Sequence, residues 1–120
     1  MSSVLKNTEE THIVAILYPA SGKLDRLKEL RVDHINATHK NEDYTPRYLM
    51  TEQLDTKEPA LHMFETTTDT PSRDGADKHT KTENFKTLMS ECEKEGVMGK
   101  EPYLVFTKTV GGYDWDRQKV

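Results

Sequence analysis

A single cysteine, Cys92, stands in the whole chain, so one copy can form neither an internal disulfide nor a cysteine-rich zinc site. Lying in a helical stretch, that thiol reads as a buried structural group, because free cysteine packs like a small hydrophobe. No apolar run approaches the roughly 20 residues of a membrane-spanning helix. Residues 1–10 lack the apolar centre of a secretory signal and read as a short polar arm on a cytoplasmic protein. Basic residues do not dominate either: 17 lysines and arginines face 21 aspartates and glutamates, a formal net charge of −4. No nucleic-acid partner is expected, since neutralising phosphates needs a basic face. Glycine-rich phosphate loops and nucleophile elbows are missing. His12, His34, His39 and His62 fall on different elements without ligand spacing such as His-x-x-x-His, so no metal is expected.

Apolar side chains are scarce as well. Only 33% of residues are hydrophobic and 32% are charged, a lean supply for a monomer that must offset backbone entropy by burial alone. The 120 residues suit one domain with one core, taken here as residues 11–113 followed by a tail, 114–120, that carries Trp115.

What is present is periodic. An almost unbroken apolar, β-branched run over 12–18 ends at Pro19 and a Ser-Gly turn, the pattern of a central strand. Leu24, Leu27, Leu30 and Ile35 then recur among charges, which predicts a helix over 23–40. Pro46 turns the chain into a second strand over 47–53. A polar turn leads to a third strand over 60–68, rich in threonine and apolar residues. Loop formers fill 69–75, and helical signals return over 76–95 in two pieces. Thr80 and Glu83 have capping-box spacing, and the second piece, starting near Thr82, should bury Phe85, Leu88, Met89 and Cys92 before Gly96 stops it. A last strand is predicted over 103–110, ahead of Gly111-Gly112.

The order strand, helix, strand, strand, helix, strand fits an α+β, ferredoxin-like split βαβ fold: a four-stranded antiparallel sheet with both helices on one face. The other face then needs a cover. In so polar a chain, the same face of a second copy would supply it, giving a two-fold homodimer.

Several local motifs, in order, resemble the antibiotic biosynthesis monooxygenase family. They are the 12–19 run with Gly22-Lys23, Lys40-Asn41-Glu42 before Arg47-Tyr48, and Met63-Phe64-Glu65 with Asp69 beyond. Ala76, His79, Phe85-Lys86 and the ending Lys108-Thr109-Val110-Gly111-Gly112-Tyr113 follow. The resemblance implies a dimeric α/β barrel whose ligand cleft lies between sheet and helices. It also implies oxygenation of a hydrophobic aromatic or polyketide-like molecule, in secondary metabolism or detoxification, by dioxygen without metal, flavin or haem. The haem-degrading branch of this group relies on a first-strand asparagine and a tryptophan near the third strand. This chain has neither; only His79 matches that pattern. A non-catalytic barrel that binds a small molecule or acts in stress response is the rival expectation.

Oxygenation without a cofactor requires a base that turns the substrate into an electron-rich anion, donors for that anion, and a dry pocket. His79 is the first candidate base, because an imidazole titrates near neutrality and the resemblance places it at the cleft. Glu65 is the second. It alternates with Leu61 and Met63, so these three share one sheet face while His62, Phe64 and Thr66 share the other. Tyr18, Tyr48 and Tyr103 are candidate donors to a ligand oxygen. Asn41 is a candidate amide, and Phe64, Phe85, Leu88 and Met89 are candidate pocket wall.

Overall fold

The computed structural model describes residues 10–68 and 82–118. Strand β1, Thr11–Leu17, is buried at every second residue: Thr11, Ile13, Ala15 and Leu17. Side chains alternate across a pleated strand, so this half of β1 faces the helices and sits at the centre of the molecule. Helix α1, Leu24–Asn41, follows the turn at Gly22 and buries Leu27, Leu30, His34 and Thr38. Spacings of three and four place those four on one stripe. Strands β2, Arg47–Glu52, and β3, Leu61–Thr67, come next.

Helix α2, Glu83–Glu95, starts where the Thr82 hydroxyl accepts the Phe85 amide at 3.1 Å. Thr82 is thus the cap itself, and the residue three positions on is Phe85, so no reciprocal carboxylate completes a box. Thr80 lies outside the described residues, as does the first of the two expected helical pieces. Gly96 ends α2 in the left-handed region at φ 59°, a conformation that glycine adopts without a Cβ clash. The Val97 amide then closes on the Cys92 carbonyl at 3.3 Å, which sends fully buried Val97 back into the core. Strand β4, Tyr103–Lys108, ends two residues earlier than the sequence pattern predicts. Lys108 is the last residue to find a partner, Thr11, on β1.

The sheet order is β2-β3-β1-β4 and every pair is antiparallel. This is the α+β, ferredoxin-like arrangement expected from the element order. Ala15, Leu17, Leu27, Leu30, Leu61, Met63, Leu88, Cys92 and Val97 form the core between sheet and helices. Leu27, Leu61 and Met63 are at most 1% exposed. Each such side chain contributes about 1.5–3 kcal/mol on burial, so the layers are held by this interface.

The opposite face of the sheet is built differently. Register carries Leu49, Phe64, Val14 and Val105 across all four strands in one apolar row. Leu49 is 52% and Phe64 37% exposed. Below Lys108 the chain crosses one end of the sheet. The Thr109 hydroxyl meets His12 Nε2 at 2.6 Å, His12 Nδ1 meets Thr66 at 3.0 Å, and Asp114 pairs with Arg47 at 2.8 Å. The tail thereby runs from the β4 edge to the β2 edge, leaving Trp115 89% exposed.

Candidate functional site

Both layers leave a cleft of about 250 Å³ between them. Its floor is the helix-facing side of the sheet: Ile13, Ala15 and Leu17 from β1, Met63 and Glu65 from β3, Leu104 and Phe106 from β4. Pairing sets these side by side, with Glu65 and Phe106 flanking Ile13, and Met63 and Leu104 flanking Ala15. Helix α2 roofs the cleft with Phe85, Met89 and Cys92, and α1 adds Arg31. Met89 and Leu104 are each about half exposed and mark the mouth. Among the described lining residues only Arg31 and Glu65 carry charge; the rest is hydrocarbon, aromatic ring and sulfur.

These two charges are joined through Tyr48. Arg31 Nη1 donates to the Tyr48 hydroxyl at 3.2 Å, and that hydroxyl donates to Glu65, its direct partner across β2 and β3. Burial pushes the Tyr48 phenol well above its usual value, the Glu65 charge adds to the rise, and Arg31 opposes it. The phenol therefore stays protonated throughout the physiological range and serves as a donor. Behind it, the buried His34 ring meets Tyr48 edge-on at 5.6 Å and Phe85 at 6.0 Å. Burial also raises the Cys92 thiol, against the pull of Arg31, which leaves it a weak nucleophile.

The sequence candidates divide by position. Glu65, Phe85 and Met89 line the cleft, and Tyr48 stands directly behind its charged wall. Leu88 is buried in the adjoining core. Four others are not brought to it. Tyr18 lies at the far end of β1 under Lys100, whose Nζ is 4.3 Å from the ring centre. Asn41 is the exposed last residue of α1. Phe64 and Tyr103, the partners of Val14 and Ile16, point from the opposite sheet face. His79 lies outside the described residues. Arg31 was not among the candidates, although a signal existed: it continues the Leu24, Leu27 stripe at helical spacing, where a cation on a buried face invites a question. Among the described residues no group of three or more His, Cys, Asp or Glu is placed to hold a metal ion. No helix among them is long and apolar enough to cross a membrane.

A split βαβ sheet with an apolar, two-charge cleft between sheet and helices defines an α+β domain of the ferredoxin-like class. By sequence the chain matches no protein-family model and no curated protein. By structure it is similar to a Caulobacter crescentus protein named, by assignment only, an antibiotic biosynthesis monooxygenase. The TM-score is 0.73 at 20% identity, covering 87% of this chain and 92% of that one. A Nitrosomonas europaea protein with the same assigned name gives 0.73 at 14% identity, over 86% and 92%. A conserved protein from Methanosarcina mazei gives 0.72 at 18%, over 86% and 95%. The ferredoxin-like fold of the single chain is thus the one that the motif resemblance implied, shared over nearly the whole length of these proteins.

Proposed function

We propose that the chain is a cofactor-independent monooxygenase that oxidises a hydrophobic aromatic or polyketide-like molecule with dioxygen, and that it works as a homodimer. One observation carries this reading: a nearly apolar cleft whose charges are one carboxylate and one guanidinium, bridged by a neutral phenol. The names of the structural neighbours point the same way.

In this reading Glu65 or His79 removes a proton from an activated CH₂ of the substrate. The carbanion passes one electron to dioxygen, and the resulting radical pair joins as a C–O bond to give a peroxide. Cleavage of the O–O bond with loss of water leaves a carbonyl. The balance is CH₂ plus O₂ to C=O plus H₂O, with one oxygen atom retained. Apolar walls keep water from the anion, while fixed donors stabilise charge without reorganising.

The test is oxygen uptake on a panel of anthrone-like and hydroquinone compounds, with one dioxygen consumed and one carbonyl formed per CH₂ of each anthrone. Positioned acid–base groups contribute on the order of 10²–10⁴-fold, so Glu65→Gln or His79→Ala should slow turnover by at least about 10²-fold, according to which is the base. Uptake equal to the protein-free control across the panel would leave the non-catalytic binding barrel as the better reading.

A further inference from the structure

Arg31 has a donor to spare. Its Nη1 is committed to Tyr48, whereas its Nε is buried with no hydrogen-bond partner among the described residues. A buried N–H of a cation left unmatched is costly, and native folds seldom keep one without a purpose. The described groups around it already have other roles. The Tyr48 hydroxyl already accepts from Arg31 and donates to Glu65. Cys92 presents a thiol kept protonated by burial, and Phe85 a hydrocarbon ring. Among the described residues, what remains beside the guanidinium is the cleft itself.

We propose that Arg31 anchors an ionised oxygen of the ligand, so that the cleft takes a one- or two-ring phenol, enol or aromatic acid with its rings on Ile13, Met63, Phe85 and Leu104. This rests on the reading of the cleft as a ligand site and names the class of molecule for it. Size supports the class: about 250 Å³ falls just below the roughly 300–1,000 Å³ of pockets for drug-sized ligands. Charge supports it too. Guanidinium is the side chain best suited to planar oxyanions, and an apolar site that excludes water strengthens the attraction.

Glu65 completes the arrangement. A phenol entering in its neutral form loses its O–H proton to the Glu65 carboxylate; the electron pair stays on the phenol oxygen, which then faces Arg31. The cleft begins with one positive and one negative charge and ends the same way, the negative charge having moved from protein to ligand. No net charge enters the apolar interior, which is the condition under which a buried ion is tolerated.

A two-ring phenol whose neutral and ionised forms differ in colour, 7-hydroxy-4-methylcoumarin, tests this without turnover. Bound to the full-length protein, its apparent pKa should fall by at least one unit. Above that pKa it should bind at least tenfold more tightly than its methyl ether. Arg31→Met should abolish the preference and Arg31→Lys should retain part of it. Equal affinity for phenol and ether, an unchanged or raised probe pKa, binding of neither compound, or an undiminished preference in Arg31→Met would each overturn the proposal. If Arg31→Met does not fold, the wild-type comparison of phenol with ether decides alone. Oxygen uptake plays no part: a protein that prefers the phenolate yet consumes no oxygen sinks the oxygenase reading only, and one that consumes oxygen without the preference sinks this one only.

Discussion

Tyr48→Phe removes one oxygen atom and leaves the ring between His34 and the sheet, so it isolates the polar bridge from the packing. The lost hydroxyl accepts from Arg31 at 3.2 Å and donates to Glu65. A hydrogen bond to a charged group is worth about 1.5–3 kcal/mol. Two are broken here, but Arg31 and Glu65 both line the open cleft, where water or direct pairing can recover one of them. The expected loss is therefore about 1.5–3 kcal/mol, not twice that. For a 120-residue chain the unfolding entropy is about 0.25 kcal/mol/K, so Tm should fall by about 6–12 °C. Urea unfolding followed by far-ultraviolet circular dichroism gives the free energy directly. Tyr103→Phe, at a half-exposed site on the other sheet face, is the control and should stay within about 0.5 kcal/mol of wild type. If Tyr48→Phe also costs less than about 0.5 kcal/mol, the hydroxyl is not a bridge between two charges and the account of the site is wrong.

Two further perturbations address charge and assembly. Arg26 grips Glu95 at 2.6 and 2.8 Å, and that hydrogen bond holds the Glu95 carboxyl below its ordinary value of 4.5. A depressed carboxyl stabilises the fold above its unfolded pKa and stops doing so as pH falls through its folded one. Glu95→Gln should accordingly be less stable than wild type at neutral pH, with the gap closing as pH drops from about 4.5 downward. A gap in urea midpoint that persists unchanged into strong acid would refute this. The apolar row of Leu49, Phe64, Val14 and Val105 should cover itself against a second copy. Light scattering should then report twice the monomer mass for wild type and a monomer for Phe64→Glu; a monomeric wild type removes the dimer from the proposal.

Strands and helices are readable because each carries a strong local pattern of apolar residues. Ile13, Ala15 and Leu17 alternate as a half-buried strand must, and Phe85, Leu88 and Cys92 recur as a helix face must. Glu65 was placed on the Leu61, Met63 face by that same alternation, and the structure has it there. What failed was inference across elements. Tyr48 meets Glu65 only because of the β2–β3 register, and register depends on turn geometry that local pattern leaves open. Arg31 and His34 went unseen as site residues for a different reason: a scan for apolar stripes skips polar residues, yet α1 buries His34 and Thr38 along the stripe begun by Leu27 and Leu30. Phe64 reads as pocket wall from its ring and Tyr103 as a donor from its phenol, although both occupy the face turned from the helices.

The strap formed by the Arg47–Asp114 pair leaves the chain's sole tryptophan, Trp115, on the outside of the β2 edge, almost wholly in water. Intrinsic indole emission is therefore set by water in the folded chain already, and will change little when the buried interior melts. An experimenter who followed denaturation by fluorescence alone would watch a lamp hung outside the house while the house fell.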